Sequence, residues 1–98
     1  MTTYTLQKSN RKGKRFEIIM ENHSHHFGSD VGSTFIDHKD HKKKTAWIAR
    51  HKHNKNYNKK HSSIYHSRHL LWSKPSLVSA IKAYEKRHNV KIINKTGV

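Results

Sequence analysis

The sequence contains no cysteine, a single proline and only six acidic residues. Without cysteine the chain can form neither a disulfide nor a thiolate zinc site. Large apolar side chains are also scarce. Leu, Ile, Val and Phe together supply 19 of the 98 residues, just under the ~20% level that flags disorder when charge is high. Such a chain buries only a small core, which excludes a large pocketed enzyme with its own cofactor domain. No apolar run approaches the ~18 residues of a membrane span. The N-terminus is polar from Thr2 onward, and no secretory signal is expected.

What the sequence does hold is positive charge. Lys and Arg number 21 against the six acids, a formal net charge of +15, and 11 His can add to it as pH falls. The charge is uneven. Residues 38–61 hold nine Lys or Arg, five His and one acid, Asp40. A second cluster comprises Lys8, Arg11, Lys12, Lys14 and Arg15. Both exceed what solubility needs. They point to a polyanion, most simply nucleic acid. A solvated surface or an acidic protein partner would give the same composition.

Patterning predicts an α+β fold: a small antiparallel β-meander of about three strands, followed by three short helices. Tyr4–Lys8 reads as a strand and Ser9–Gly13 as a turn. Phe16, Ile18 and Met20 alternate with polar residues as a half-buried strand, with Ile19 as the exception. His23–Phe27 reads as a third strand. Asp37 is expected to cap a helix over about 38–53, with Asp40 three residues on and Phe35 or Ile36 as a hydrophobic staple. A second helix starts at Ser62 or Ser63, and Pro75 suits the first turn of a third. The third helix has an inner stripe of Leu77, Val78, Ile81 and Tyr84, with Ala80. Residues 1–89 are expected to form one domain, with strands over about 4–28 and helices over about 38–88. Residues 90–98 are expected to be a tail whose Val90–Ile93 extends as a short strand or docks loosely. The predicted core is Leu6, Phe16, Ile18, Met20, Phe27, Trp47, Ile64, Leu71, Trp72, Leu77, Ile81 and Tyr84.

Catalytic and metal motifs fare poorly. His38 and His41 are three apart, as are His66 and His69, and such spacing puts two imidazoles on one helix face. With 11 His in 98 residues, close pairs arise by chance, and none of the usual zinc arrangements is present. The acids are scattered, which disfavours metal-dependent phosphodiester cleavage. No Gly-rich phosphate loop precedes a Lys-Ser/Thr pair. No enzyme, metal or cofactor is therefore expected. The expected polyanion-binding residues are Lys39, Lys42, Lys43, Lys44, Arg50, Lys52, Lys55, Tyr57, Lys59 and Lys60, together with Arg11 and Lys12. Tyr57 is singled out for stacking on bases. Arg50 and Arg68 suit either phosphate clamps or ion pairs with Asp37 or Glu85.

One ordered pattern spans residues 4–88. It runs through His26-Phe27-Gly28, Asp30, Ile36-x-His38-Lys39-Asp40, Lys43 or Lys44, Ile48-Ala49-Arg50-His51, Asn54 and Asn58. It continues through Ser67-Arg68-x-Leu70-Leu71-Trp72-x-Lys74-Pro75-Ser76-Leu77 to Ile81 and Tyr84. In this the chain resembles a family of small uncharacterised basic proteins of nucleocytoplasmic large (giant) DNA viruses. The Arg-His pair and the Leu-Leu-Trp-x-Lys-Pro-Ser-Leu run are the most specific parts. The family usually carries a Trp where this chain has Tyr57, and residues 90–98 depart from its pattern. The resemblance implies no catalytic residue. It implies a virion-associated basic structural protein, either a minor capsid or a capsid–genome linking protein, acting through polyanion contacts within a larger assembly. Its partners would be nucleic acid, DNA favoured over RNA, or acidic capsid proteins. Its place would be the virion, and the host cytoplasm or virus factory during infection. The alternative is a free DNA- or RNA-binding protein without sequence preference.

Overall fold

Alternation of apolar and polar residues builds a sheet, as expected. The computed structural model describes residues 2–60 and 62–98; Met1, and His61 of the basic stretch, lie outside the described residues. Strand β1 (Thr2–Lys8) pairs antiparallel with β2 (Lys14–Ile19), placing Leu6 opposite Ile18. Strand β2 pairs antiparallel with β3 (Ser24–Ser29), placing Phe16 opposite Phe27, and the two rings meet edge-on at 6.1 Å. The expected three-stranded meander is incomplete. Residues 90–95 form a fourth strand, β4 (Val90–Lys95), which lies parallel to β1 with Tyr4 opposite Ile92. The sheet is therefore mixed, in the order β3-β2-β1-β4. Val90 and Ile92 point inward while Lys91 and Ile93 are exposed, so β4 extends the buried face already made by Tyr4, Leu6, Phe16, Ile18 and Phe27.

Among the described residues four helices follow the third strand: α1 (Phe35–His38), α2 (His41–His51), α3 (Ser63–Leu70) and α4 (Leu77–His88). The single helix expected over 38–53 is broken. Lys39 adopts a left-handed conformation (φ 58°) and closes α1. Its ammonium holds that bend by donating to the carbonyls of Ile36 (3.2 Å) and Pro75 (2.7 Å). Asp40 then caps α2 by accepting from the backbone N–H groups of Lys42 and Lys43. Asp37 has a different role from the one expected. It sits inside α1, accepts from the backbone N–H and hydroxyl of Thr34, and takes a two-pronged ion pair from Arg15 at 2.7 and 2.8 Å. That guanidinium holds the Asp37 carboxyl well below the usual carboxylate range, against the opposing effect of burial. Ser62 caps α3 through Tyr65 N–H. Pro75 lies just before the α4 cap, Ser76, rather than in its first turn.

The helices cover the inner face of the sheet, and one core results. Every residue of the predicted core is buried except Ile64, which is partly buried at its edge. The sequence reading missed Tyr4, Phe35, Ile36, Tyr57, Tyr65, Leu70, Val90 and Ile92, all of which are buried. Val78, placed in the inner stripe of the third helix, is 53% exposed. The centre of the helical layer is aromatic: Trp47 of α2 and Trp72, beyond the end of α3, stack at 5.1 Å and 13°. Among the described residues no helix is long and apolar enough to cross a membrane.

Candidate polyanion-binding cleft

The break at Lys39 sets the angle at which α2 crosses the molecule, and α2 thereby forms one wall of a cleft. Residues Lys44 and Ile48, one turn apart, face it. The far wall is built by Arg68 and His69 of α3, by Trp72, Ser73 and Lys74 of the α3–α4 connection, and by Ala83, Tyr84, Lys86 and Arg87 of α4. The space enclosed is about 690 Å³. Five Lys or Arg line it, and among the described residues no carboxylate does.

Two of these cations are held by the fold. Lys44 donates to the Ser73 carbonyl at 2.9 Å and lies 4.8 Å from the Phe35 ring centroid. Arg68 donates to Asn58 Oδ1 at 2.6 Å and lies 4.3 Å over the Tyr57 ring. Lys74, Lys86 and Arg87 are exposed on the rim. Two of the lining cations, Arg68 and Arg87, act on His69, which is buried beside them. Burial, then Arg68, Arg87 and His88, pull its pKa down to about 4. The ring is therefore neutral at pH 7. A neighbouring seam of rings supports this wall: Tyr65 lies 4.4 Å from His69, Tyr84 lies 4.2 Å from His88, and Tyr65 hydroxyl and His88 Nε2 share a 2.9 Å hydrogen bond. Burial raises the Tyr65 and Tyr84 phenols above their ordinary range, so both are neutral as well.

The expected site residues are dispersed. Only Lys44 and Tyr57 line the cleft. Tyr57 is 7% exposed, packed between Trp47 and Arg68, and presents no free ring for base stacking. Lys39 is committed to the bend described above. Lys42, Lys43 and Arg50 are exposed along α2, Lys52 caps its C-terminus, and Lys55, Lys59 and Lys60 are exposed on the following loop. Arg11 and Lys12 are exposed on the β1–β2 turn and do not line the cleft. Neither ion pair considered for Arg50 and Arg68 forms. Asp37 is taken by Arg15, and a Glu85 carboxylate oxygen accepts from Ile92 N–H at 2.8 Å.

The residues missed are Lys74, Lys86, Arg87 and His69. Basic residues in the last turn of a helix also complement its dipole, so Lys86 and Arg87 carried no distinct signal. Among the described residues no group of three or more His, Asp or Glu side chains could hold a metal ion.

Neither the curated proteins nor the solved structures contain a match to this chain. The profile of a family of unknown function, DUF5754, matches residues 4–51, which covers β1 to α2 and stops short of the far wall of the cleft.

Proposed function

We propose that this chain is a polyanion-binding protein that grips the phosphate backbone of nucleic acid in the cleft between α2, α3 and α4, without sequence choice. The observation that carries this reading is the convergence of five cations on one concavity with no carboxylate among its described lining residues. A cleft lined by one sign of charge, with walls of low dielectric, focuses the field and concentrates a polyanion. Phosphate contacts hold a nucleic acid without reading its bases. The burial of Tyr57 and Trp72, 7% and 9% exposed, supports backbone contact over base stacking. The exposed lysines of α2 and its following loop extend the positive surface beyond the rim.

The test is binding of the purified protein to a labelled DNA duplex and to an RNA duplex across a salt series. Engagement of six or more phosphates weakens affinity roughly 10³-fold or more between 50 and 200 mM salt. No binding at 50 mM would refute the reading. From the resemblance to giant-virus proteins we also propose a setting, the virus particle, where the chain would act as a minor capsid or capsid–genome linking protein. Arg68, Trp72, Lys74 and Tyr84, which carry part of that resemblance, line the cleft. Mass spectrometry of purified particles tests the setting separately from the binding.

A further inference from the structure

We propose that Ser9 is an activated nucleophile that accepts an acyl group from activated esters, with His26 as its general base and Glu17 as the residue that positions His26. The three side chains come from the β1–β2 turn, from β3 and from β2, on the sheet face away from the helices. Ser9 Oγ lies 2.6 Å from His26 Nδ1. On the other side of the imidazole, His26 Nε2 lies 3.5 Å from Glu17 Oε2. The second Glu17 oxygen accepts from Gln7 Nε2 at 3.0 Å, which fixes the carboxylate. Burial opposes ionisation of Glu17, but hydrogen bonds from Ser24 and Gln7 and the charges of His26 and Arg11 outweigh it, so its pKa is lowered. A carboxylate at Nε2 favours the tautomer with its proton there. Nδ1 is then left to accept the Ser9 proton, the arrangement that a serine nucleophile needs.

The turn holds the nucleophile in place. Ser9 N–H donates to the Arg15 carbonyl at 3.0 Å, and Arg11 N–H donates to Ser9 Oγ at 3.0 Å. Ser9 also borders a hollow of about 580 Å³, lined by Lys8, Lys14 and Asp30 and by the Arg15–Asp37 ion pair. In the reaction Ser9 Oγ attacks the ester carbonyl carbon while its proton passes to His26 Nδ1. The tetrahedral adduct then collapses, the bond to the leaving alcohol breaks, and that alcohol takes the proton from His26. The acyl group remains on Ser9 as a new ester.

The experiment treats the full chain with 4-nitrophenyl acetate, follows nitrophenol release, and maps the acetyl group by peptide mass spectrometry. Expected is an acetyl group on Ser9, lost in Ser9→Ala. His26→Gln should slow its formation by about 100-fold or more, the range of general-base catalysis. Glu17→Gln should alter the pH profile, because the tautomer is no longer fixed. The wild-type rate should fall in acid, where a protonated imidazole cannot accept the Ser9 proton, and reach a plateau as pH rises instead of climbing with hydroxide. Should His26→Gln not fold, this profile decides the matter. Acetylation confined to lysines, an unchanged rate in a folded His26→Gln protein, or a rate rising in proportion to hydroxide would each overturn the proposal. DNA binding in the cleft is read separately and stands or falls by itself.

Discussion

Replacing Lys74, Lys86 and Arg87 together by Ala separates a cleft site from a generally basic surface. All three are exposed and line the cleft, so their removal leaves the core intact. Each phosphate contact contributes about 0.9 to the slope of log affinity against log salt, so losing three lowers the slope by about 2.7. Between 50 and 200 mM, a fourfold rise, the variant should then lose about 40-fold less affinity than the parent. The control is Lys42→Ala, Lys43→Ala and Arg50→Ala on the exposed side of α2, which removes the same net charge. Lys44 stays in both proteins, because its bond to the Ser73 carbonyl and its place over Phe35 join α2 to the rest of the fold. Fluorescence anisotropy on a short labelled duplex, at several salt concentrations, gives both slopes. The cleft reasoning requires the first variant to lose far more slope than the second. Equal losses would mean that net charge alone binds, and a larger loss in the second would return the site to the outer face of α2.

Three further outcomes test the fold beneath the site. Trp72→Ala removes the ring stacked on Trp47 and should cost about 3–5 kcal/mol. At about 4–8 °C per kcal/mol, its thermal midpoint should fall by at least 12 °C, and a shift under about 5 °C would show that the ring is not a core anchor. Gly28 has φ +77°, and a Cβ there would meet Leu71 Cδ1 at 2.8 Å and Arg15 Cβ at 3.3 Å. Gly28→Ala should therefore destabilise by about 2 kcal/mol or more, from backbone strain plus the clash, whereas Gly13→Ala meets only the strain. His69 titrates near 6.5 when unfolded and at about 4 when folded, so in that window the unfolded chain binds more protons. Stability is full above about pH 6.5 and is lost as pH falls, by about 1–2 kcal/mol once the nearby solvent is allowed for. A melting temperature that stays flat between pH 7 and pH 4.5 would contradict this.

The parts of the fold that were legible in the sequence are those written in a local period. Phe16 and Ile18 alternate with charged neighbours, and Leu77, Ala80, Ile81 and Tyr84 recur at helical spacing, so a strand and a helix follow directly. The break between α1 and α2 was hidden because Lys39 is an ordinary helix former. Its left-handed turn is held by a carbonyl 36 residues away, that of Pro75. The β4 strand was hidden for a related reason. Its partner is the other end of the chain, and a parallel pair carries no hairpin turn to announce it. Tyr57 sits among Lys and Asn and so reads as exposed, yet Trp47 and Arg68 enclose it from other elements.

The same limit governs the site. Charge density along the chain peaks over residues 38–61, but a helix spreads such a run around its circumference, and α2 turns only Lys44 and Ile48 into the cleft. The other four cations come from Arg68, Lys74, Lys86 and Arg87, in stretches where no run of charge stands out. What brings them together is the packing of α3 and α4 against β3 and β4, which is decided by Leu70, Leu71, Leu77 and Tyr84. The depressed pKa of His69 registers its burial first and then the nearness of Arg68, Arg87 and His88. Field strength depends on how charges converge and on the dielectric between them. Four residues scattered over twenty positions can therefore outweigh a run of nine, once apolar packing has turned them to face the same space.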